Sequence, residues 1–288
     1  MKILVTGTSG FTGQHFLQAA HRQGHDTTIL QARLHDRAAL EREIAACGPA
    51  AVVHLAGISS SAATDSSAFY DVNVVGTVNL LDVLTLLPTP PRVLLTSSAN
   101  VYGDGGIAPL GEGANAAPVD HYGMSKLAME MLARNYTDRL PLFVVRPFNY
   151  TGVGQRDCFV IPKLVNLFAS RAAVVELGNL DVSREFLDVR FVCAAMLRLL
   201  DVAESGATYN ICSGVNWSLV DVLALLSQLS GHTPRIVSAP ALVRRTDIDC
   251  LRGDPTRLRH AIGPLEVPAL ADTLAWMLRA AQQEGACA

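Results

Sequence analysis

The chain has 288 residues, 50% of them hydrophobic and 17% charged, which fits a compact globular protein and leaves little room for a disordered tail or fibrous repeat. Its net charge of -3 comes without a basic block or an acidic run, which argues against a nucleic-acid groove or a polybasic membrane patch. No apolar run approaches the roughly 18 residues of a membrane span, and the two most apolar stretches, 80–87 and 219–226, each carry an aspartate.

At roughly 150 residues per domain, this length predicts one large domain or two modest ones. A lysine and three apolar residues before Thr6 are too few for a secretory leader, so a cytoplasmic protein is expected. Cysteines 47, 158, 193, 212, 250 and 287 lie far apart, with no CxxC pair and no clustered histidines. They predict reduced packing residues and no metal site. Among 23 basic residues only Lys2, Lys126 and Lys163 are lysines, so a lysine inside a motif carries weight.

In chain order, residues 2–6 form a β-branched apolar run ending in glycines, and an amphipathic stretch follows over 13–23. A second strand is predicted at 27–30 and a helix after Asp36, which would cap it. Residues 51–56 read as a third strand, 69–86 as one helix, and 92–97 as a fourth strand before a loop over 103–118. A helix over 122–136 and a strand over 142–146 complete the first half. Apolar strands alternating with helices predict an α/β fold, a doubly wound parallel sheet covered on both faces. After Pro147 the alternation weakens, with short helices at 161–170 and 219–229. The predicted division is a dinucleotide-binding, Rossmann-type domain over 1–150 and a smaller mixed region over 151–288, part of 185–212 packing back on the first domain.

Gly7, Gly10 and Gly13 follow the first strand and open the first helix. Such a turn lets backbone amides approach a pyrophosphate and puts a helix N-terminus toward the anion. The expected cofactor is NAD or NADP. About 20 positions on, where an NAD site usually places an acid, the chain reads Leu30, Gln31, Ala32, Arg33. Arg33 suits a 2′-phosphate and tilts the expectation toward NADPH; a solvated loop residue is the other reading.

Tyr122 and Lys126 stand at i, i+4 on one helix face. A free tyrosine is a poor acid or base at neutral pH, and a neighbouring ammonium would draw its pKa toward the working range. Tyr122 would then exchange a proton with a sugar or ketone oxygen. Thr96, Ser97 and Ser98 lie at the end of the fourth strand, where ligands meet the carboxyl edge of a parallel sheet. Capping of the strand end and its loop is expected to occupy two of these three hydroxyls.

With these motifs stand LeuAlaGly (55–57), AsnValValGlyThrValAsnLeuLeu (73–81), SerSerAlaAsnValTyrGly (97–103) and ArgProPheAsnTyrThrGly (146–152). In this order the set resembles the extended short-chain dehydrogenase/reductase family, which acts on nucleotide sugars. The resemblance implies a catalytic triad of Ser98, Tyr122 and Lys126. It implies cofactor contacts at Gly7, Gly10, Phe11, Gly13, Leu55, Ala56, Gly57, Tyr122, Lys126 and Phe148, substrate contacts at Ser98, Asn100 and Asn149, and a homodimer with Asn73 in its helix.

Residues 178–189 and 244–256 resemble signatures of GDP-mannose dehydratases and their partner 4-reductases. By that resemblance Arg184 and Arg244 would neutralise a diphosphate and Asp247 would accept from hydroxyls, although Glu185 and Arg245 depart from the pattern. The related 4,6-dehydratases carry a glutamate where this chain has Asn100, and an amide cannot take the C5 proton. The expectation is an NAD(P)H-dependent 4-reductase of a GDP-4-keto-6-deoxyhexose. A UDP-hexose 4-epimerase, a small-ketone reductase and a non-catalytic dinucleotide sensor remain alternatives.

Overall fold

The computed structural model describes residues 1–59, 65–179, 182–239, 248 and 250–286. Strand β1 (Lys2–Thr6) leads into α1 (Phe11–Arg22), β2 (Asp26–Ile29), α2 (Arg37–Cys47) and β3 (Ala51–His54). Then come α3 (Ser67–Tyr70), a π-type turn over Asp71–Val75, α4 (Gly76–Leu84), β4 (Arg92–Thr96), α5 (His121–Ala133) and β5 (Leu142–Pro147). The rest holds β6 (Tyr150–Thr151), α6 (Val160–Ala169), β7 (Val174–Leu177), β8 (Ser183–Arg184), β9 (Leu187–Asp188), α7 (Val189–Val202) and β10 (Thr208–Ile211). It closes with β11 (Trp217–Ser218), α8 (Leu219–Ser230), β12 (Arg235–Ser238), β13 (Cys250–Leu251), α9 (Thr256–Ile262) and α10 (Leu270–Ala286).

Six parallel strands form the main sheet in the order β10-β5-β4-β3-β1-β2. Alternate residues on each central strand enter opposite apolar layers. Ile3, Val5, Ala51, Val53, Leu94, Phe143 and Val145 join one layer with α7, while Leu4, Val52, Val93, Leu95, Leu142 and Val144 join the other with α2 and α4. The near-continuous apolar strands therefore have a physical reason: both faces are covered, so both parities of side chain are buried. A third apolar cluster unites α6, α8 and α10 in the smaller region.

Two features depart from the strand-and-helix pattern read in the sequence. The sixth strand, β10, lies more than sixty residues after Pro147, and α7 precedes it. The expected helix over 69–86 is broken by the turn at Asp71–Val75. There Asn73 turns inward and is completely buried: its Oδ1 accepts from Ile58 N–H at 2.8 Å and its amide donates to Ser125 Oγ at 3.0 Å. An inserted π-type turn shifts the facing of one polar residue, and the apolar period does not encode it.

Candidate active site

The carboxyl ends of β1, β3, β4 and β5 open on a cleft of about 620 Å³. The turn after β1 forms one wall. Gly7 has φ +72, and a Cβ there would stand 2.5 Å from Ala56 N; at Gly13 it would stand 2.5 Å from Gly7 O. Side chains are excluded at both positions because strand, turn and helix approach backbone to backbone. No side chain among the described residues caps the start of α1 at Gly10, so its first N–H groups are available toward the cleft. The loop is further held by Thr12, whose hydroxyl lies 2.7 Å from Tyr150 OH, and by Phe11, stacked on the Tyr150 ring.

At the end of β3, behind the cleft, His54 is buried between Thr6 Oγ1 at 2.8 Å and Thr77 Oγ1 at 2.9 Å. Thr77 spends its one hydroxyl proton on the Asn73 carbonyl, so it accepts from His54 Nε2 and leaves Nδ1 to accept from Thr6. Burial, aided by the Lys126 charge, lowers the His54 pKa to about 3. Thr6 Oγ1 also accepts from Ala56 N–H at 3.0 Å, which locks the end of β3 beside the glycine turn.

Opposite stands α5, capped by Asp120, whose carboxylate accepts from Gly123 N–H at 2.7 Å. Tyr122 and Lys126 both line the cleft from this helix. Lys126 is 6% exposed and donates to Thr96 O at 2.8 Å; burial lowers its pKa to about 8, with Glu130 pulling it back up. The sequence led us to expect an ammonium drawing the Tyr122 phenol downward. Instead burial pushes Tyr122 above its ordinary value, the Asp120 carboxylate adds to that, and a hydrogen bond with Ser98 opposes it. The correction has a simple cause: removal of a phenolate from water outweighs the one stabilising hydrogen bond.

Ser98 has two tasks, since its Oγ also accepts from Asn100 N–H at 3.2 Å and caps the turn over Ala99–Tyr102. Among the described residues the Thr96 and Ser97 hydroxyls are buried without a partner. Two of the three hydroxyls were expected to be spent on capping; one is, and the other two are buried on residues that line the cleft.

The other sequence candidates divide cleanly. Gly10, Phe11, Leu55, Gly57, Asn100, Phe148 and Asn149 line the same cleft. Ala56 lies behind Gly7. Arg33 is exposed and does not line it, nor does Lys163 on α6. Arg184 sits on β8, away from the lining, and donates to Ser183 O at 2.9 Å. Arg244 and Asp247 lie outside the described residues. Glu185 faces inward: fully buried, it accepts from Ser213 N–H at 2.6 Å and Gly253 N–H at 2.7 Å, tying three segments together. Sequence reading missed Thr12 with Tyr150, His54 and Arg156. The signal for the first three lies in contacts between helices and strands far apart in the chain, and that for Arg156 in the cleft it lines.

An uncapped helix start, a backbone cradle that any Cβ would fill and two unpartnered hydroxyls fit a dinucleotide with its diphosphate at the turn. Comparison with known proteins agrees. The model of the NAD dependent epimerase/dehydratase family matches residues 3–212. The chain is 37% identical over 279 residues to the GDP-6-deoxy-D-mannose reductase of Pseudomonas aeruginosa, covering 91% of each. It is 34% identical over 270 residues to the GDP-6-deoxy-D-talose 4-dehydrogenase of Aggregatibacter actinomycetemcomitans, covering 91% of this chain and 92% of that one. The structure of RMD from Pseudomonas aeruginosa complexed with NADPH superimposes with a TM-score of 0.87 at 32% identity, covering 98% of each chain. Fold, glycine turn and the Tyr122–Lys126 helix thus meet in one assignment: the chain belongs to the NAD dependent epimerase/dehydratase family.

Proposed function

We propose that this protein is an NAD(P)-dependent oxidoreductase acting at C4 of a GDP-linked 6-deoxyhexose, reducing the 4-keto sugar to GDP-D-rhamnose or its C4 epimer. The observation that carries this reading is the composition of the cleft: Ser98, Tyr122 and Lys126 line it together, and no carboxylate among the described residues does. Dehydration across C5 and C6 needs a carboxylate base, whereas reduction at one carbon needs a hydride from the dinucleotide and a proton donor at the oxygen. The named relatives support the substrate class. One is a 6-deoxymannose reductase and the other a 6-deoxytalose 4-dehydrogenase, products that differ in configuration at C4.

The glycine turn, Leu55, Gly57 and Phe148 would hold the dinucleotide, which when bound supplies the hydride for C4. Tyr122 gives its phenolic proton to the C4 oxygen. Its raised pKa keeps that proton in place at neutral pH, which suits the reductive direction. Ser98 donates to the same oxygen as charge develops there. Lys126, anchored on Thr96 O and lining the same cleft as Tyr122, would supply the positive charge that offsets the phenolate as the proton leaves. Asn149 is exposed in the cleft where a sugar nucleotide would pass, and Arg184, Arg244 and Asp247 would belong to the nucleotide end. The exposed Arg33 after β2 favours NADPH through its match to a 2′-phosphate.

In this reading residues 1–150 bind the dinucleotide and 151–288 mainly the nucleotide sugar. A second copy of the chain would pack on the Asp71–Val75 turn and α5, where Val75, Met124, Met131 and Leu132 are exposed; sedimentation velocity measures that association. No helix among the described residues is long and apolar enough to cross a membrane, and we assign the protein to the cytoplasm. The deciding experiment follows NADPH and NADH oxidation with GDP-4-keto-6-deoxymannose, then NMR of the product at C4. Absence of oxidation, alongside turnover of UDP-glucose without added reductant, would replace this reading with a 4-epimerase.

A further inference from the structure

Arg156 lines the cleft in a loop whose backbone is fixed on several sides. His15 Nε2 lies 2.8 Å from Val153 O, which joins the loop to α1. Thr151 Oγ1 donates to Gln155 Oε1 at 2.7 Å, Gln155 Nε2 donates to Tyr150 O at 3.1 Å, and Phe159 N–H donates to Arg156 O at 3.2 Å. Gly154, at φ +87, makes the bend that turns the chain into the cleft. The Arg156 side chain itself is exposed and makes no hydrogen bond or ion pair among the described residues.

The charge balance of the cleft sharpens this. Lys126 and Arg156 line it, and no carboxylate among the described residues does. Lys126 is nearly buried and committed to Thr96 O, so the accessible cation is Arg156. The N-terminus of α1, which the His15 contact holds beside this loop, contributes potential of the same sign. A low-dielectric cleft with cations and no acid attracts a polyanion, and a guanidinium fork matches two phosphate oxygens at once.

We propose that Arg156 clamps a diphosphate bound in this cleft, as a binding residue additional to the glycine turn. The inference rests on the cleft being the site of a dinucleotide and a nucleotide sugar. Both ligands carry a diphosphate, and the test separates them. Binding of NADPH and of GDP is titrated by calorimetry against the wild-type chain, Arg156→Gln and Arg156→Lys, at two salt concentrations.

Loss of one charge-assisted fork predicts weakening of about tenfold or more for Arg156→Gln, with a flatter salt dependence, and a smaller loss for Arg156→Lys. If the NADPH titration is the one that weakens, the clamp serves the cofactor; if it is GDP, the clamp serves the substrate. Wild-type binding of both probes, with both variants within twofold of it, overturns the role of Arg156 and leaves the functional reading standing. A wild-type chain that binds neither probe overturns both. Because the side chain is exposed and unpaired, thermal unfolding of the variants is expected to match wild type, which separates binding loss from misfolding.

Discussion

The Lys126 ammonium donates to the Thr96 carbonyl at 2.8 Å, spanning from α5 to the end of β4. One contact thus fixes the lysine stem, leaves the ammonium beneath the cleft and spends a strand-end carbonyl. Burial lowers the Lys126 pKa to about 8, so the charge is present at neutral pH and lost in mild alkali.

Reductase turnover should therefore fall as pH rises through about 8, measured as the pH dependence of kcat for NADPH oxidation. The stability effect has the opposite slope. The folded value of about 8 lies below the ordinary 10.5, so the unfolded chain binds more protons between them and Lys126 destabilises less as pH rises through that window. Lys126→Arg should not preserve activity, because a longer, forked cation cannot keep both the Thr96 contact and the same placement in the cleft. Wild-type kcat in Lys126→Arg would refute this.

Tyr122→Phe removes the proton that reduction requires while leaving the ring contact with Phe69. We expect kcat to drop by about 10²–10⁴-fold, with the Kd for NADPH little changed. A variant retaining more than a tenth of wild-type kcat would remove Tyr122 from the mechanism.

Gly13→Ala and Gly10→Ala should differ sharply. A Cβ at Gly13 meets Gly7 O and Thr8 Cα at 2.5 Å, all backbone, whereas at Gly10 the nearest contact is Gly7 O at 3.3 Å. The first should lower Tm and weaken NADPH binding by about tenfold or more, since overpacking that displaces backbone costs about 1–3 kcal/mol; the second should be mild. Equal effects of both in a thermal-shift titration would show that loop packing is not what fixes the turn.

Glu130 of α5 and Arg146 of β5 are buried and joined at 2.9 and 2.6 Å. Removing one partner, as in Glu130→Gln or Arg146→Met, should cost about 3–5 kcal/mol in urea unfolding, because the other charge is left without its partner. The double variant Glu130→Leu with Arg146→Met should cost less than the sum of the singles. Strict additivity would mean that the two do not act as a pair.

Much of this molecule was legible in its sequence, because the determinants were local. Alternating apolar runs gave the doubly wound sheet, since both strand faces are covered. The spacing of Gly7, Gly10 and Gly13 after a strand announced a turn with no room for side chains. Tyr122 and Lys126 share a helix face by helical geometry alone. The fused helix over 69–86 was misread where a single π-type turn swings Asn73 inward, a change that apolar periodicity does not record.

What the sequence determined by itself is the family, the glycine turn and the Tyr122–Lys126 pair, each set by spacings of a few residues. Tertiary structure decided the rest, because it depends on groups far apart in the chain. It brought β10 beside β5, buried Tyr122 so that its pKa rises where an ammonium alone would lower it, and spent Lys126 on a carbonyl thirty residues away. It also set Arg156 in a cleft that no carboxylate lines among the described residues. Burial and charge balance are sums over neighbours in space, and only the folded chain fixes who those neighbours are.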